Sequence, residues 1–386
     1  MDRIETLKIR HFAQIEEATL TFGDLTVLVG AQGTGKSLAL QWLKIALDGR
    51  QIVGALTDAG HQTKDPDVLI DLIFGTGMRS GWRDETQIQL GRKQIKRDTI
   101  GRIGNGVERV FFIPAHRSML ISDGWAARFQ KLTPETPVVA RMFSDTLFKL
   151  FSSSETEPLF PKDRVLKKEL RDKIDDAVYH GGTVAMEVDP QQHAQRLRLT
   201  HGNMSLPFMT WTAGQREFTP LLLGFYHLIP PRRILKQQDI EWVVIEEPEM
   251  GLHPQAVTVV LLLVLELLYR GYQVVLSTHS PHVLTAVWMI QRLKEFHADW
   301  RLLCRAFDLS HSQQFKKVAE ASLEKAYRVH HLAFSHKGRV NAKDISKLDP
   351  GADDPQMAGW GGLTEFSSQF GDAVIDAVNS APLKSS

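Results

Sequence analysis

The chain has 386 residues, with 46 basic and 45 acidic side chains and a formal charge of +1. Hydrophobic residues make up 43% and charged residues 24% of it, as in folded globular proteins. These values exclude a wholly disordered chain, a collagen and a bundle of membrane helices. The near-zero net charge gives no global reason to expect nucleic acid or membrane binding. The single cysteine, Cys304, excludes an intrachain disulfide and every cysteine-based zinc or iron–sulfur site.

The most apolar run covers residues 256–268 and contains Glu266. It is shorter than the roughly 20 residues that a membrane helix needs, so it is interpreted as a buried helix. The opening residues lack the apolar stretch and cleavage site of a secretory signal. A single cysteine suits a reducing compartment. We therefore expect a cytoplasmic protein without a membrane partner.

The first elements of the chain read as strands followed by a helix. Leu7 and Ile9 alternate with polar residues, residues 17–22 alternate similarly, and residues 25–29 are the apolar run of a strand covered on both faces. An apolar helix is predicted at 38–47. Residues 50–109 are less legible, apart from a turn at 75–81 whose glycine spacing does not fit a dinucleotide loop.

Buried strands and apolar helices alternate again further along. Strands are predicted at 110–113, 242–245 and 273–276, paired strands at 183–188 and 197–200, a charged helical region at about 120–180, and helices after Gln215 and at 256–268. Pro230 and Pro231 break the helix that reaches Leu228. This order predicts an α/β fold with a mostly parallel sheet and an inserted, mainly helical second lobe. The expected bounds are 1–118 and 237–386 for the two halves of the first lobe and 119–236 for the second.

The turn between the third strand and the first helix reads Gly-Ala-Gln-Gly-Thr-Gly-Lys-Ser and matches G-x-x-x-x-G-K-[ST] in full. Glycines let the backbone fold around phosphates, and the helix N-terminus holds the anion. Lysine supplies a mobile charge, and serine offers a hydroxyl to Mg²⁺. The predicted nucleotide-binding residues are Gly30, Gln32, Gly33, Thr34, Gly35, Lys36 and Ser37.

A second strand, at 242–245, ends in two carboxylates, Glu246 and Glu247. The first is predicted to belong to the Mg²⁺ shell and the second to polarise the attacking water. The alternative is a strand that ends in a solvated acidic turn.

These carboxylates belong to sequence motifs that resemble those of a known protein family. The sequence from Glu246, Glu-Glu-Pro-Glu-Met-Gly-Leu-His-Pro, together with Leu-Ser-Thr-His-Ser-Pro at 276–281, resembles the ABC-type ATPases. It is most similar to the branch that contains SMC, Rad50 and RecF proteins and the OLD-like ATPases of bacterial genome maintenance and phage defence. The opening segment, residues 4–12, also resembles this branch. The resemblance implies a P-loop NTPase fold of the ABC-type head, with ATP and Mg²⁺ as ligands.

The resemblance also implies roles for individual residues. Glu246 takes the Mg²⁺-side position where many ABC ATPases have Asp, Glu247 takes the general-base position, and His279 matches the switch histidine that contacts the γ-phosphate. Residues 249–252 fall where the family has a dimer-contact loop. Taken alone, His279 could be a core or turn histidine, and a metal pair with His282 lacks a third ligand.

The family's signature element fits Trp-Thr-Ala-Gly-Gln-Arg-Glu at 211–217. Thr212 replaces the usual serine and Ala213 the first glycine, while Gly214 and Gln215 match. In the family this element closes on the nucleotide of a second subunit, so the resemblance implies a homodimer or higher homo-oligomer with ATP between its heads. The alternative is an ordinary helix start capped by Thr212.

Several segments carry no assigned chemistry. The lobe-coupling glutamine of the family could be Gln87, Gln89 or Gln94, and the role of Arg117 is open. The basic clusters at 92–102 and 162–173 are either phosphate contacts or solvated faces, and the segment at 360–366 is a docking or structural element. No long heptad arm is present, and the aspartates after residue 281 read as a solvated loop: Asp344, Asp349, Asp353 and Asp354.

The sequence therefore predicts an ATPase switch that controls a separate effector, a nuclease or toxin, in anti-phage defence. RecF-like DNA repair or recombination is the alternative, with DNA as a possible partner. A transporter subunit fits less well, because the N-terminal strands and the Glu-Pro-Glu loop argue against it. A scaffold that binds ATP without turnover is a further alternative, which the intact Glu247 argues against.

Overall fold

The computed structural model describes residues 6–153, 158–163, 165–189, 193–230 and 236–363, with residues 370, 373 and 375. Its strands are β1 (Thr6–Phe12), β2 (Ile15–Thr21), β3 (Leu25–Val29), β4 (Trp82–Leu90), β5 (Lys93–Ile95), β6 (Val110–Ile113), β7 (Ile121–Ser122), β8 (Trp125–Ala126), β9 (Thr183–Val188), β10 (Gln195–His201), β11 (Met204–Pro207), β12 (Trp242–Glu246), β13 (Gln273–Thr278), β14 (Tyr327–Phe334) and β15 (Val340–Asp344). Its helices are α1 (Lys36–Asp58), α2 (Pro66–Phe74), α3 (Val138–Ser152), α4 (Lys168–Ile174), α5 (Ala213–Leu228), α6 (Pro254–Tyr269), α7 (Pro281–Glu295), α8 (Trp300–Ala306), α9 (Gln313–Glu324) and α10 (Pro355–Ala358). The predicted helix breaker Pro231, the start of the 4–12 segment and residues 364–366 lie outside the described residues.

Within the described ranges, ten strands form one sheet in the order β5-β4-β1-β2-β15-β14-β3-β13-β12-β6. The neighbours from β14 to β6 are all parallel, as the alternation of strands and helices predicts. β15 runs antiparallel to β14 and parallel to β2. From β2 to β5 the pairs are antiparallel. The parallel half carries the predicted motifs, and the antiparallel half extends the sheet beyond them.

Helices cover both faces of the parallel half. On one face, α1 packs Trp42 and Leu43 in the same core as Leu28 and Val244 of the strands. On the other face, α5, α6 and α7 share a second core with the side chains that point the opposite way. All five residues of β3 and all five of β12 are buried for this reason.

The segment predicted as the second lobe contains helices α3, α4 and α5 and a three-stranded antiparallel sheet, β11-β10-β9. The two strands predicted at 183–188 and 197–200 pair with each other, with Leu197 opposite Met186. Apolar residues of this lobe, such as Val184 and Phe218, belong to the same core as α6. The lobe therefore packs against one face of the large sheet.

Helix α6 contains the most apolar run of the sequence, and Thr258 is the one residue of 256–268 that is not buried. It is the buried helix that the sequence predicts. None of the helices among the described residues is long and apolar enough to cross a lipid bilayer.

Candidate nucleotide site

The phosphate loop occupies the turn between the carboxyl end of β3 and Lys36, the first residue of α1. Gly30, Gly33 and Gly35 have φ angles of 149°, 76° and 83°. A Cβ atom on Gly30 would lie 2.2 Å from the carbonyl oxygen of Leu332 in β14. Glycine is therefore required at position 30 both by the backbone conformation and by the neighbouring strand.

Lys36 lies over this loop, with an exposed fraction of 5%. Its Nζ donates to the carbonyl oxygens of Gly30 at 2.8 Å and Ala31 at 3.0 Å. Thr34 braces the loop from inside, since its hydroxyl donates to Ala31 O at 2.8 Å. Burial lowers the pKa of Lys36, and nearby carboxylates, Glu247 foremost, oppose that shift. The ammonium thus has neutral acceptors that the charged oxygens of a phosphate can replace.

Glu246 ends β12 with a carboxylate that faces the phosphate loop and is buried. Its Oε2 accepts the Ala115 N–H at 3.2 Å, and the Ser37 hydroxyl also donates to this carboxylate. Burial raises the pKa of Glu246, while these two hydrogen bonds oppose the rise. The other oxygen, Oε1, is buried and has no hydrogen-bond partner among the described residues. A carboxylate and a hydroxyl side by side are hard oxygen donors, so this pair fits Mg²⁺.

Glu247 follows with a φ of 41°, in the left-handed region that a residue with a Cβ rarely adopts. Its N–H donates to Ser277 O at 2.9 Å. Its Oε1 lies 3.6 Å from Nε2 of His279, and both side chains are about 30% exposed. The left-handed turn takes the Glu247 carboxylate out of the strand and places it beside the histidine.

Glu249 holds His279 in place. One of its oxygens, Oε1, accepts the His279 N–H at 2.6 Å and the Thr278 hydroxyl at 2.6 Å. Burial, with a smaller contribution from Lys36, lowers the pKa of His279 below its usual value of 6.5. This shift favours the neutral imidazole, which has one N–H that can donate to a phosphate oxygen. The sequence assigns residue 249 to a loop but does not predict this bracing contact.

These groups meet because β13 lies between β3 and β12 in the parallel sheet. The carboxyl ends of parallel strands share one edge, and ligands of such sheets bind there. The structure brings together five of the predicted site residues at this edge: Lys36, Ser37, Glu246, Glu247 and His279. Gln32 and Gly33 are exposed in the loop above them. The roles of all these site residues in binding and catalysis remain predictions.

The signature element forms the capped start of α5. Thr212 Oγ1 accepts the Gln215 N–H at 3.2 Å, and Gln215 Oε1 accepts the Thr212 N–H at 3.2 Å. The Gln215 amide donates to Val178 O at 3.1 Å, within the second lobe. A Cβ on Gly214 would lie 3.2 Å from Gly251 O, so the helix start packs against the predicted dimer-contact loop. The capped helix start weighed as an alternative is thus present, with Thr212 exposed.

One further contact to the phosphate loop comes from Gln14, in the turn between β1 and β2. Its Nε2 donates to Gly33 O at 2.9 Å. No sequence motif marks this residue. The three candidates for the lobe-coupling glutamine lie on β4 and β5, and four strands separate β4 from β3.

The other motifs take part in local structure. His282 hydrogen-bonds to the Thr258 hydroxyl at 2.9 Å. Asp349 accepts the Gly351 N–H at 3.0 Å, and Asp354 accepts the Gln356 N–H at 3.1 Å. Over the described residues, no group of three or more His, Cys, Asp or Glu side chains is placed to hold a metal ion. Trp360 is 7% exposed, and its indole N–H donates to Leu348 O, which is a structural role.

A comparison with protein families matched the part of the chain that contains several of these motifs. Residues 133–285 match the family model described as "AAA domain, putative AbiEii toxin, Type IV TA system". The matched segment is less than half of the chain and contains the signature element, the acidic pair and His279. With the phosphate loop and the parallel sheet, it confirms the resemblance to ABC-type ATPases and the expected fold class. The curated proteins compared with the chain gave no match.

Solved structures similar to the chain include heads of SMC proteins. One is a crystal structure of the SmcHead bound to the C-winged helix domain of ScpA, with 12% identity over 88% of this chain and 97% of that chain and a TM-score of 0.43. Another is the SMC head domain from Thermotoga maritima, with 13% identity over 89% and 98% and a TM-score of 0.38. A third is the Smc head domain with an extended coiled coil bound to the C-terminal domain of ScpA, derived from Pyrococcus furiosus, with 13% identity over 89% and 96% and a TM-score of 0.38.

Proposed function

We propose that this chain binds ATP with Mg²⁺, hydrolyses it to ADP and phosphate, and uses the cycle to switch the association of two heads. The observation that supports the proposal is the meeting of a phosphate-loop lysine, two carboxylates and a histidine at one edge of a parallel sheet. Each group suits one requirement of phosphoryl transfer to water, which depends on positioning and electrostatic stabilisation.

Each residue has a defined task in this proposal. Lys36 exchanges the carbonyl oxygens of Gly30 and Ala31 for the outer phosphates. Ser37 and Glu246 hold Mg²⁺, which when bound neutralises charge on the phosphates. Glu247 accepts a proton from a water molecule. The oxygen of that water attacks the γ-phosphorus, and the bond from the γ-phosphorus to the β–γ bridging oxygen breaks. His279 donates a hydrogen bond to the γ-phosphate.

The second head enters through the start of α5. Thr212 and Ala213 are exposed there, and the first amides of a helix have no partner within the helix. A γ-phosphate held on one head can accept from these amides on the other. The loop at 249–252 packs against the same helix start at Gly214. The proposed assembly is a homodimer, or a higher homo-oligomer, with ATP between its heads.

The proposed output is control of a separate effector, a nuclease or toxin, in anti-phage defence. The description of the matching family names a putative toxin of a type IV toxin–antitoxin system. That description accords with defence more than with DNA repair.

Two variants test the function. Glu247→Gln keeps the side-chain volume but removes the base, so phosphate release should fall by about 10²- to 10⁴-fold while ATP stays bound. Analytical ultracentrifugation with MgATP should then find this variant as a dimer or larger. Lys36→Ala should lose ATP binding, whereas Lys317→Ala, at an exposed position of α9, should bind normally. A wild-type rate per molecule that is independent of protein concentration, with a strictly monomeric Glu247→Gln variant, would refute the dimeric switch.

A further inference from the structure

Arg117 is completely buried and hydrogen-bonds to the end of the strand that carries the two proposed site carboxylates. Its Nη1 donates to Glu246 O at 3.1 Å and to Pro114 O at 3.2 Å, and its Nη2 donates to Glu247 O at 3.4 Å. The guanidinium thus holds the backbone on both sides of the point where β12 ends. That is where the chain turns into the left-handed conformation of Glu247.

The same guanidinium also contacts α5 in the second lobe. Its Nε donates to the backbone oxygen of Glu217 at 3.1 Å and lies 3.9 Å from the Glu217 carboxylate. The Ser118 hydroxyl donates to the other oxygen of that carboxylate. Glu217 is 12% exposed by its side chain and follows Thr212 by little more than one helical turn. Arg117 therefore bridges the catalytic strand and the signature helix.

An arginine suits this position for a physical reason. Its planar guanidinium presents five N–H donors in a fixed fork, and here they reach carbonyl oxygens on two elements at once. A lysine has a single ammonium at the end of a flexible chain and cannot keep that geometry. A buried cation also requires a counter-ion, and the Glu217 carboxylate is the nearest one.

We propose that Arg117 and Glu217 are a positioning pair that ties Glu247 to α5, so that engagement of Thr212 by a second head is transmitted to the catalytic carboxylate. This inference rests on the proposed function, because Glu247 must be the base for its position to matter. A left-handed backbone at a residue with a Cβ persists only where its surroundings fix it. Arg117 holds the carbonyl oxygen of that residue, and a shift of α5 moves the partner that fixes Arg117.

The first test replaces Arg117 by lysine and follows turnover, ATP affinity and association separately. Misplacing a catalytic group by about 1 Å costs on the order of 100-fold, so kcat should fall about 10- to 100-fold. The dissociation constant for ATP and the ATP-dependent association should be unchanged. The matched control is Arg141→Lys: Arg141 is also completely buried, but it donates to Leu72 O in a contact between α3 and α2. It should lose comparable thermal stability and keep its kcat.

The second test serves even if Arg117→Lys does not fold. Glu217→Gln keeps the backbone acceptor and an oxygen for Ser118 but removes the counter-charge, and it should lower kcat in the same direction by less. Combined with Glu247→Gln, it should cost no more in single-turnover rate than Glu247→Gln alone, because it acts through that residue.

The outcomes separate the two proposals. A wild-type protein that binds ATP but releases no phosphate would refute the proposed function. An active wild type, with Arg117→Lys or Glu217→Gln as fast as Arg141→Lys, would overturn the positioning role alone. Multiplicative losses in the double variant would also overturn it, since Glu217 would then act independently of Glu247.

Discussion

Replacing Gly30 by alanine tests the contact between the phosphate loop and β14, a strand that no motif marks. Gly30 has a φ of 149°, and a Cβ there would lie 2.2 Å from Leu332 O, far inside van der Waals contact. Leu332 belongs to a strand that is hydrogen-bonded to β3 in parallel register. Neither backbone can move away without breaking that ladder.

Gly33 in the same loop provides the matched comparison. Its φ is 76°, and a Cβ there would meet no atom within 4 Å. Both alanine variants therefore carry backbone strain of about 1–3 kcal/mol, and both gain equally from a less flexible unfolded chain. Gly30→Ala alone adds overpacking, which costs about 1–3 kcal/mol. With the gain subtracted, the free energy of unfolding should fall by about 1–6 kcal/mol in Gly30→Ala. The loss in Gly33→Ala should be smaller by about 1–3 kcal/mol, the cost of overpacking.

Urea unfolding without nucleotide measures both free energies directly. ATP affinity should fall with the same ranking, because moving Gly30 also displaces the carbonyl oxygen that orients Lys36. Equal losses of stability in the two variants would refute the close approach of the phosphate loop to β14. A larger loss in Gly33→Ala would refute it too.

Three further predictions concern charge and titration. Lys44→Met should lower the free energy of unfolding by about 3–5 kcal/mol, because it leaves the fully buried Asp48 carboxylate without its cation; Lys149→Met, in an exposed pair, should cost about 0–1 kcal/mol. Burial lowers the pKa of His330 below 6.5, so below about pH 6.5 the unfolded chain takes up a proton that the folded chain resists. The free energy of unfolding therefore falls as the pH falls through 6.5. His330→Gln should therefore lose less stability than the wild type between about pH 7 and pH 5 in urea titrations, and an equal loss would contradict the assignment. Ser37→Ala should raise the Mg²⁺ concentration needed for half-maximal phosphate release, and an unchanged requirement would remove this hydroxyl from the metal shell.

The central strands were predictable because their burial is a local property of the sequence. A parallel strand covered by helices on both faces must be apolar throughout, and β3, β6 and β12 are such runs. The predicted strand at 110–113 has the same bounds as β6. No knowledge of the neighbours was needed for these elements.

β14 could not be found in this way, although it lies next to β3. It contains Arg328, His330 and His331, which break the apolar run. His330 has an exposed fraction of 1%, and its burial is tolerated because its Nε2 hydrogen-bonds to Thr21 O at 2.9 Å, on a distant segment. The burial of this strand depends on tertiary partners, so its pattern resembles that of a surface segment.

The predicted end of the first helix at residue 47 coincides with a kink in α1. Asp48 has non-helical φ and ψ angles, and a second helical stretch, which was not predicted, continues from there to Asp58. The Asp48 carboxylate accepts the N–H groups of Arg109 and Val110, and Lys44 pairs with it. These contacts join the helix to the start of β6, and they support a polar residue that the apolar period does not predict.

The residues of the candidate site also differ in whether local sequence or tertiary contacts determine their positions. Residues that are placed by a fixed chain spacing, such as Lys36 and Ser37, can be identified in the sequence because the loop itself creates their geometry. Gln14 and Arg117 act across the fold, and nothing in their local sequence states which backbone oxygens they meet. The phosphate loop could thus be predicted, whereas the contacts that position it could not.

The structural role of Thr212 in the signature element is compatible with the functional role proposed for it. Thr212 Oγ1 accepts the Gln215 N–H through a lone pair, which leaves its own hydroxyl proton free to donate. The amides of Ala213 and Gly214, which precede Gln215 in α5, have no acceptor within the helix, and the positive end of the helix dipole lies beside them. Capping therefore does not compete with phosphate binding: it fixes the hydroxyl at the helix start, where an anion from a second head would meet it. Thr212→Val, which removes both functions, should lower turnover more than Thr212→Ser, which keeps them.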